Sequence, residues 1–252
     1  MGSTHAVKWP APCRQPDFLD IATRAPVAGP TFIRLLARIV EVEGQPSGLA
    51  PSQRLGQWID WTRAVSLSRA LDRPLEVPPV APRGNDPADE VAQARRALEL
   101  QIGDREAWDR AMLHVTADAA TGFDEPRKRY IAIQYAIQAA TGRLRGSLRD
   151  RLAQGGPAQA RLVELDAVME VIASPREHRL LAAVPGLLAE RHLHLHRQAI
   201  ASRDAHDLQA QATPAGDAWP HVLRKDMQDL LLAELDVRFM PIEGLLAALR
   251  AH

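Results

Sequence analysis

Residues 124–154 read DEPRKRYIAIQYAIQAATGRLRGSLRDRLAQ, and the spacing of their apolar positions decides the fold class. Tyr130, Ile133, Ile137, Leu144 and Leu148 recur at intervals of three, four or seven residues, which places them on one narrow face of a helix. Asp124 and Glu125 set negative charge against the positive helix end, and Pro126 suits the first turn. Gly155-Gly156-Pro157 is a strong stop. A long helix with one apolar face must be covered by other helices.

The same period continues on both sides. Downstream, Leu162, Leu165, Val168, Met169 and Ile172 form a second stripe. Ser174-Pro175-Arg176-Glu177 has the form of a capping box with proline at the first helical position, which predicts a new helix or a sharp bend. Leu181, Val184, Leu188, Leu195 and Ala199 follow, with Pro185 predicted to kink the chain. Beyond the loop Thr213-Pro214-Ala215-Gly216, a helix is expected from Trp219 to Phe239, and Pro241 separates it from a short tail helix at 242–250. Upstream, Asp86 is an N-cap, Pro87 opens a helix, and Val91, Ala94, Leu98 and Ile102 form its buried stripe. Gly103 and Asp104 are predicted to break it before Trp108, Met112 and Val115.

Residues 31–72 read as an αα-hairpin. Thr31 caps a helix carrying Phe32, Leu35, Leu36, Ile39 and Val40, and Ser52 caps a second with Leu55, Trp58, Ile59, Trp61, Val65 and Leu71. Residues 73–87 are a Pro-rich linker of extended character, and residues 1–30 a mobile Pro-rich arm. The bundle itself is 88–252. The reading is an all-α protein: an antiparallel helical bundle with long coiled-coil-like helices and an N-terminal αα-hairpin.

Composition agrees. The 252 residues include 42 Ala and 31 Leu, strong helix formers, against five Trp, two Tyr and four Phe. Lys and Arg number 31, as do Asp and Glu, so the net charge is zero. That balance argues against a general polyanion binder. The lone Cys13 excludes an internal disulfide framework and a cysteine-based zinc cage. No apolar run reaches the roughly 18–20 residues of a membrane span, so no membrane insertion is expected. Met1–Asp20 lacks a signal-peptide core and carries Pro10, Pro12 and Pro16. The expected compartment is the cytoplasm.

Four features invite a functional reading. His192 and His196 share a helix face, with His194 nearly opposite and His206 and Asp207 further on, but the Glu of an HExxH zinc motif is missing. Partly exposed bundle histidines explain them better, and no metal or other cofactor is assigned. Arg127, Lys128, Arg129, Arg143, Arg145, Arg149 and Arg151 give residues 124–151 a local charge of +4. They fall into two patches, which ion pairs to neighbouring helices explain better than nucleic acid does. Glu164, Asp166 and Glu170 read as surface carboxylates of a bundle. No P-loop, GxGxxG or GxSxG occurs, and Cys13 lies in the arm, so no catalytic residue is assigned.

The C-terminal segment is different. Its apolar residues at 230–232 cover more than half the helix circumference, so the helix is either central or shared with a partner chain. Leu231, Leu235, Phe239, Leu245, Leu246 and Leu249 are the candidate partner-facing side chains. Asp226, Asp229, Glu234 and Asp236 occupy its polar positions.

Several stretches carry a family resemblance: Arg54-Leu55-Gly56-Gln57-Trp58 through Leu71, Leu165-Asp166-Ala167-Val168-Met169-Glu170, Leu180-Leu181-Ala182-Ala183-Val184-Pro185, and Asp226-Met227 through Leu249. Over 31–72 and 88–250 the chain resembles an uncharacterised proteobacterial all-helical family known only as a domain of unknown function. LLLAELDVRFMPIEGLLAALR is the most specific part. The resemblance implies a cytoplasmic helical protein without an assigned activity. The family's genes lie beside those of stator-like proton channels and OmpA-like envelope proteins, which implies an accessory of an envelope-linked complex. It supplies no site residues.

The functional expectation is a non-enzymatic helical adaptor or accessory subunit that binds a protein partner or itself. The second reading is a regulatory protein binding nucleic acid through the arginine patches, which is the less favoured partner class. Charge is also unevenly placed: −3 over 88–123 against +4 over 124–151. That contrast predicts antiparallel pairing of these two segments.

Overall fold

The structure, a computed structural model, describes residues 31–40, 59, 61–72, 86–116, 121–207 and 218–251. The arm at 1–30, the expected Ser52 cap and most of the linker lie outside them. Among the described residues there are seven helices and no strand. They are α1 (Thr31–Val40), α2 (Trp61–Asp72), α3 (Pro87–Gly103), α4 (Arg105–Ala111), α5 (Asp124–Ala153), α6 (Pro157–Asp207) and α7 (Trp219–Arg250).

Local chemistry sets the starts. The Asp86 carboxylate accepts from the Ala88 amide at 2.8 Å, with Pro87 in the first turn of α3. Asp104 ends α3 and caps α4, accepting from the Ala107 amide at 3.1 Å. α4 is short, and Met112 and Val115 lie in the turns that follow it rather than in a helix. At the α5–α6 turn, the Gln159 side chain folds back to accept from the Gly156 amide at 3.1 Å. A Cβ on Gly155 would sit on that same Gln159 amide, so a larger residue there displaces the Gln159 side chain.

Four helices form the bundle, with α5 and α7 along its centre and α3 and α6 on opposite flanks. Cross-helix bonds fix the directions. Arg151 meets Glu90 at 2.9 Å and Arg129 donates to the Gln101 carbonyl at 3.0 Å, so α3 runs antiparallel to α5, as the charge contrast predicts. α6 runs antiparallel to α5 through Arg145–Asp166 and to α7 through Arg191–Asp226 and Arg238–Glu177. The predicted stripe of α5 is the core face: Tyr130, Ile133, Ile137, Leu144 and Leu148 are all buried. α1 packs on α7 and α6, and α2 on α6, with Phe32 and Ile39 in the same core cluster as the bundle. The N-terminal helices therefore lean on the bundle itself.

Two expected helix breaks are absent. α6 is one helix of 51 residues with both Pro175 and Pro185 inside it, so no new helix starts at Ser174. α7 likewise continues through Pro241, and 242–250 is its last part rather than a separate tail helix. An interior proline removes the amide that would bond the carbonyl four residues earlier. For Pro185 that carbonyl is Leu181, and Gln134 Nε2 of α5 donates to it at 3.2 Å. For Pro175 it is that of Val171, an exposed residue. Packing on both flanks outweighs the local signal.

Candidate functional site: a cleft where α5, α6 and α7 meet

The antiparallel approach of α5 and α6 brings Gln134 opposite Leu181, and α7 places Glu234 beneath both. Glu234 is fully buried, at 0% exposure. Its carboxylate accepts from Gln134 Nε2 at 2.8 Å and from Arg238 Nε at 2.9 Å. Arg238 reaches on to Glu177 of α6 at 2.9 Å, so one network ties three helices. Burial pushes the Glu234 carboxyl above its usual range, against the opposing effects of Gln134 and Arg238. The fully buried Tyr130 hydroxyl has no hydrogen-bond partner; burial, and then the nearby Glu234 charge, hold it well above the usual phenol range.

Over this network the surface opens into a cleft of two lobes. The first, about 170 Å³, combines Ile131, Tyr135, Ala182 and Pro185 with Arg127 and other polar groups. The second, about 220 Å³, is more polar and includes Thr141, Arg145, Glu170, Glu177 and Pro241. Gln138, His178 and Arg238 line both, so the lobes adjoin. Tyr135 stands 62% exposed at the rim. Two of the three interior prolines thus lie at the cleft, where the helix ladder lacks an amide.

The candidate features of the sequence fall elsewhere or become structural. Arg145 and Arg149 are mostly buried against Asp166 and Glu170: Arg145 Nε lies 2.9 Å and Arg149 Nε 2.6 Å from Asp166, and Arg149 reaches Glu170 at 2.6 Å. Arg145 and Arg149 were read apart from Asp166 and Glu170, yet the four are one ion-pair cluster. Hydrogen bonds and charge from Arg145 and then Arg149 hold the Asp166 carboxyl below its usual range, although burial opposes them. Lys128 pairs with Glu125 at 2.7 Å, and Arg129 stacks its guanidinium 4.9 Å from the Trp108 ring centre.

His192 and His196 do share a face, but within a ring cluster. Trp219 lies 5.5 Å from His192 and 5.8 Å from His196, and Phe123 stacks 5.5 Å from His192. His192 Nε2 donates to the Val115 carbonyl at 3.2 Å, and burial holds its pKa below the ordinary value. Among the described residues no three His, Cys, Asp or Glu side chains converge as metal ligands. Cys13 and the His206 side chain lie outside them.

The partner-facing assignment in α7 needs correction. Leu231, Leu235, Phe239, Leu245 and Leu246 are buried in the core of this chain, and Leu249 packs against it. The physical reason is position: α7 is flanked by α1, α3, α5 and α6, and its wide apolar arc meets them all. Asp226 and Glu234, read as solvent-facing positions, are buried too. Asp226 is held by Arg191 at 3.3 Å and by Arg38 of α1 at 3.5 Å. The sequence reading also passed over Gln134, Tyr135, Glu177 and Arg238. One signal pointed to Glu234: it lies three and four residues from Leu231 and Leu230, inside the apolar arc.

These features define a helical-bundle protein with a small amphipathic cleft over a buried polar network. Among the described residues no helix is long and apolar enough to cross a membrane. The chain belongs to the family described as "Protein of unknown function (DUF3348)", whose model matches residues 19–251. The matched span includes the segment read as a linker and part of the one read as an arm. No curated protein and no solved structure matches the chain.

Proposed function

We propose that this protein is a non-enzymatic helical adaptor that holds a segment of a protein partner in the groove between α5 and α6. The observation that carries this reading is the first lobe of the cleft, where Tyr135, Ile131, Ala182 and Pro185 leave an apolar trough open to solvent. Each lobe lies below the roughly 300–1,000 Å³ of ordinary small-molecule sites, and suits one or two inserted side chains. A groove between antiparallel helices accepts a third element by ridge-into-groove packing. A cytoplasmic location fits the single cysteine.

The test is site-specific photocrosslinking in the cells that make the protein. A photoreactive phenylalanine replacing Tyr135 is expected to give a discrete protein adduct, whereas the same group at the exposed Asp150 of α5 gives none. Absence of an adduct at position 135, with the variant folded and expressed, overturns the reading.

A further inference from the structure

We infer that the segment held in this groove is an acidic amphipathic helix, with an Asp or Glu beside the aliphatic side chain that fills the trough. The inference rests on the adaptor reading and adds the chemistry of the partner. It follows from which groups around the cleft are already used. Every carboxylate there is engaged: Glu177 and Glu234 by Arg238, and Glu170 by Arg149 and Arg145. Among the described residues, the side chains of Arg127, Tyr135, Gln138 and His178 line the cleft without an internal hydrogen bond or ion pair. Arg127 can only donate, and it carries a full charge. The Tyr, Gln and His side chains can each add a donor. Unused hydrogen-bonding capacity in the cleft is thus weighted towards an anion, and it sits next to Ile131, Ala182 and Pro185.

A carboxylate reaching Arg127 makes a charge-assisted bond, and the guanidinium fork suits its two oxygens. An aliphatic neighbour one helical turn away on the same partner then enters the trough. Close approach of a helix is open sterically. Gly142 and Ala182 are exposed on the two walls, and a Cβ on Gly142 or Gly186 would meet no atom within 4 Å.

The experiment repeats the crosslinking at position 135 with Arg127 varied, and identifies the attached peptide by mass spectrometry. Arg127→Glu is expected to lower the adduct yield about tenfold, the scale of one charge-assisted contact. Arg127→Lys, which keeps the charge, is expected to retain most of the yield. The attached peptide is expected to carry Asp or Glu within one helical turn of an aliphatic residue. Arg127 is exposed, so its variants keep the fold, which a thermal melt checks. An undiminished adduct with Arg127→Glu overturns the acidic-partner inference and leaves the adaptor reading standing. So does an attached peptide without acidic residues, or one from a second copy of this chain. No adduct in the parent protein overturns both.

Discussion

Gln134 Nε2 lies 3.2 Å from the Leu181 carbonyl, the acceptor that Pro185 leaves without its backbone amide. The same nitrogen lies 2.8 Å from Glu234, so its two hydrogens serve two acceptors on two helices. Gln134→Leu strands both, and each buried unsatisfied group costs about 1–3 kcal/mol, so a loss of about 2–4 kcal/mol is expected. Pro185→Ala returns the amide and is expected to recover about 1 kcal/mol or more of that loss when combined with Gln134→Leu. Urea unfolding of the two single variants and the double variant measures this coupling. Additivity within about 0.5 kcal/mol shows that Gln134 does not replace the missing amide.

The central position of α7 separates neighbouring leucines. Leu235 is fully buried, whereas Leu232, three residues before it, is exposed at the edge of the packed face. Leu235→Ala is expected to cost about 2–5 kcal/mol, and Leu232→Ala no more than about 0.5 kcal/mol. Denaturant titration decides it. Similar small effects at both positions contradict an internal Leu235.

Local signals were legible in the sequence where the cause is local. The apolar period of α5, the Asp86 cap, the break at Gly103-Asp104 and the Gly155-Gly156 turn depend on residues within a few positions, and each is found where expected. The breaks expected at Ser174 and Pro241 do not occur because other helices hold α6 and α7 through their prolines, as Gln134 does at Pro185. Glu234 was misread because charge argues for solvent until Gln134 and Arg238 are known to meet it. The Arg145–Asp166 pair was within reach, since these residues lie ten positions on either side of the Gly155-Gly156 turn. An antiparallel hairpin places such residues opposite each other. The cleft was not legible, because no single helix contains it.

Asp166 is the hub of the α5–α6 ion-pair cluster, bonded to both Arg145 and Arg149. Asp166→Ala leaves two poorly exposed guanidinium groups with only Glu170 between them. The expected loss is about 2 kcal/mol, below the roughly 3–5 kcal/mol of a fully buried broken pair, because some water reaches the cluster. The Asp166 pKa is lower folded than its ordinary 3.8, so its contribution is present above that value and fades as pH falls below it. The parent protein is therefore expected to lose stability relative to Asp166→Ala on acidification below about pH 3.8. A constant difference across that range refutes the assignment.

Glu234 has the opposite sign. Its folded pKa is raised above the ordinary 4.5, so the native state binds the extra proton first and this group's contribution grows as pH falls towards 4.5. Glu234→Gln cannot titrate. The stability difference between the parent protein and Glu234→Gln is expected to shift in the parent's favour between neutral pH and about 4.5, then level off. Urea midpoints across that range give the slope, and a shift against the parent shows that Glu234 is not held up by burial.

His192 is expected to titrate below its ordinary 6.5, because burial disfavours the charged ring more than the Val115 carbonyl favours it, and His196 adds repulsion if charged. A depressed histidine stabilises the fold above the ordinary pKa and loses that contribution as pH falls from 6.5 towards the folded value. His192→Phe removes the titration and the Val115 bond while keeping a ring against Phe123 and Trp219. The variant is expected to be about 1 kcal/mol less stable at pH 8, and its deficit is expected to shrink on acidification. Imidazole proton shifts read the pKa directly. A His192 resonance that titrates above 6.5 shows a ring open to water or bound to an anion, contrary to the ring cluster that joins α6 to α7.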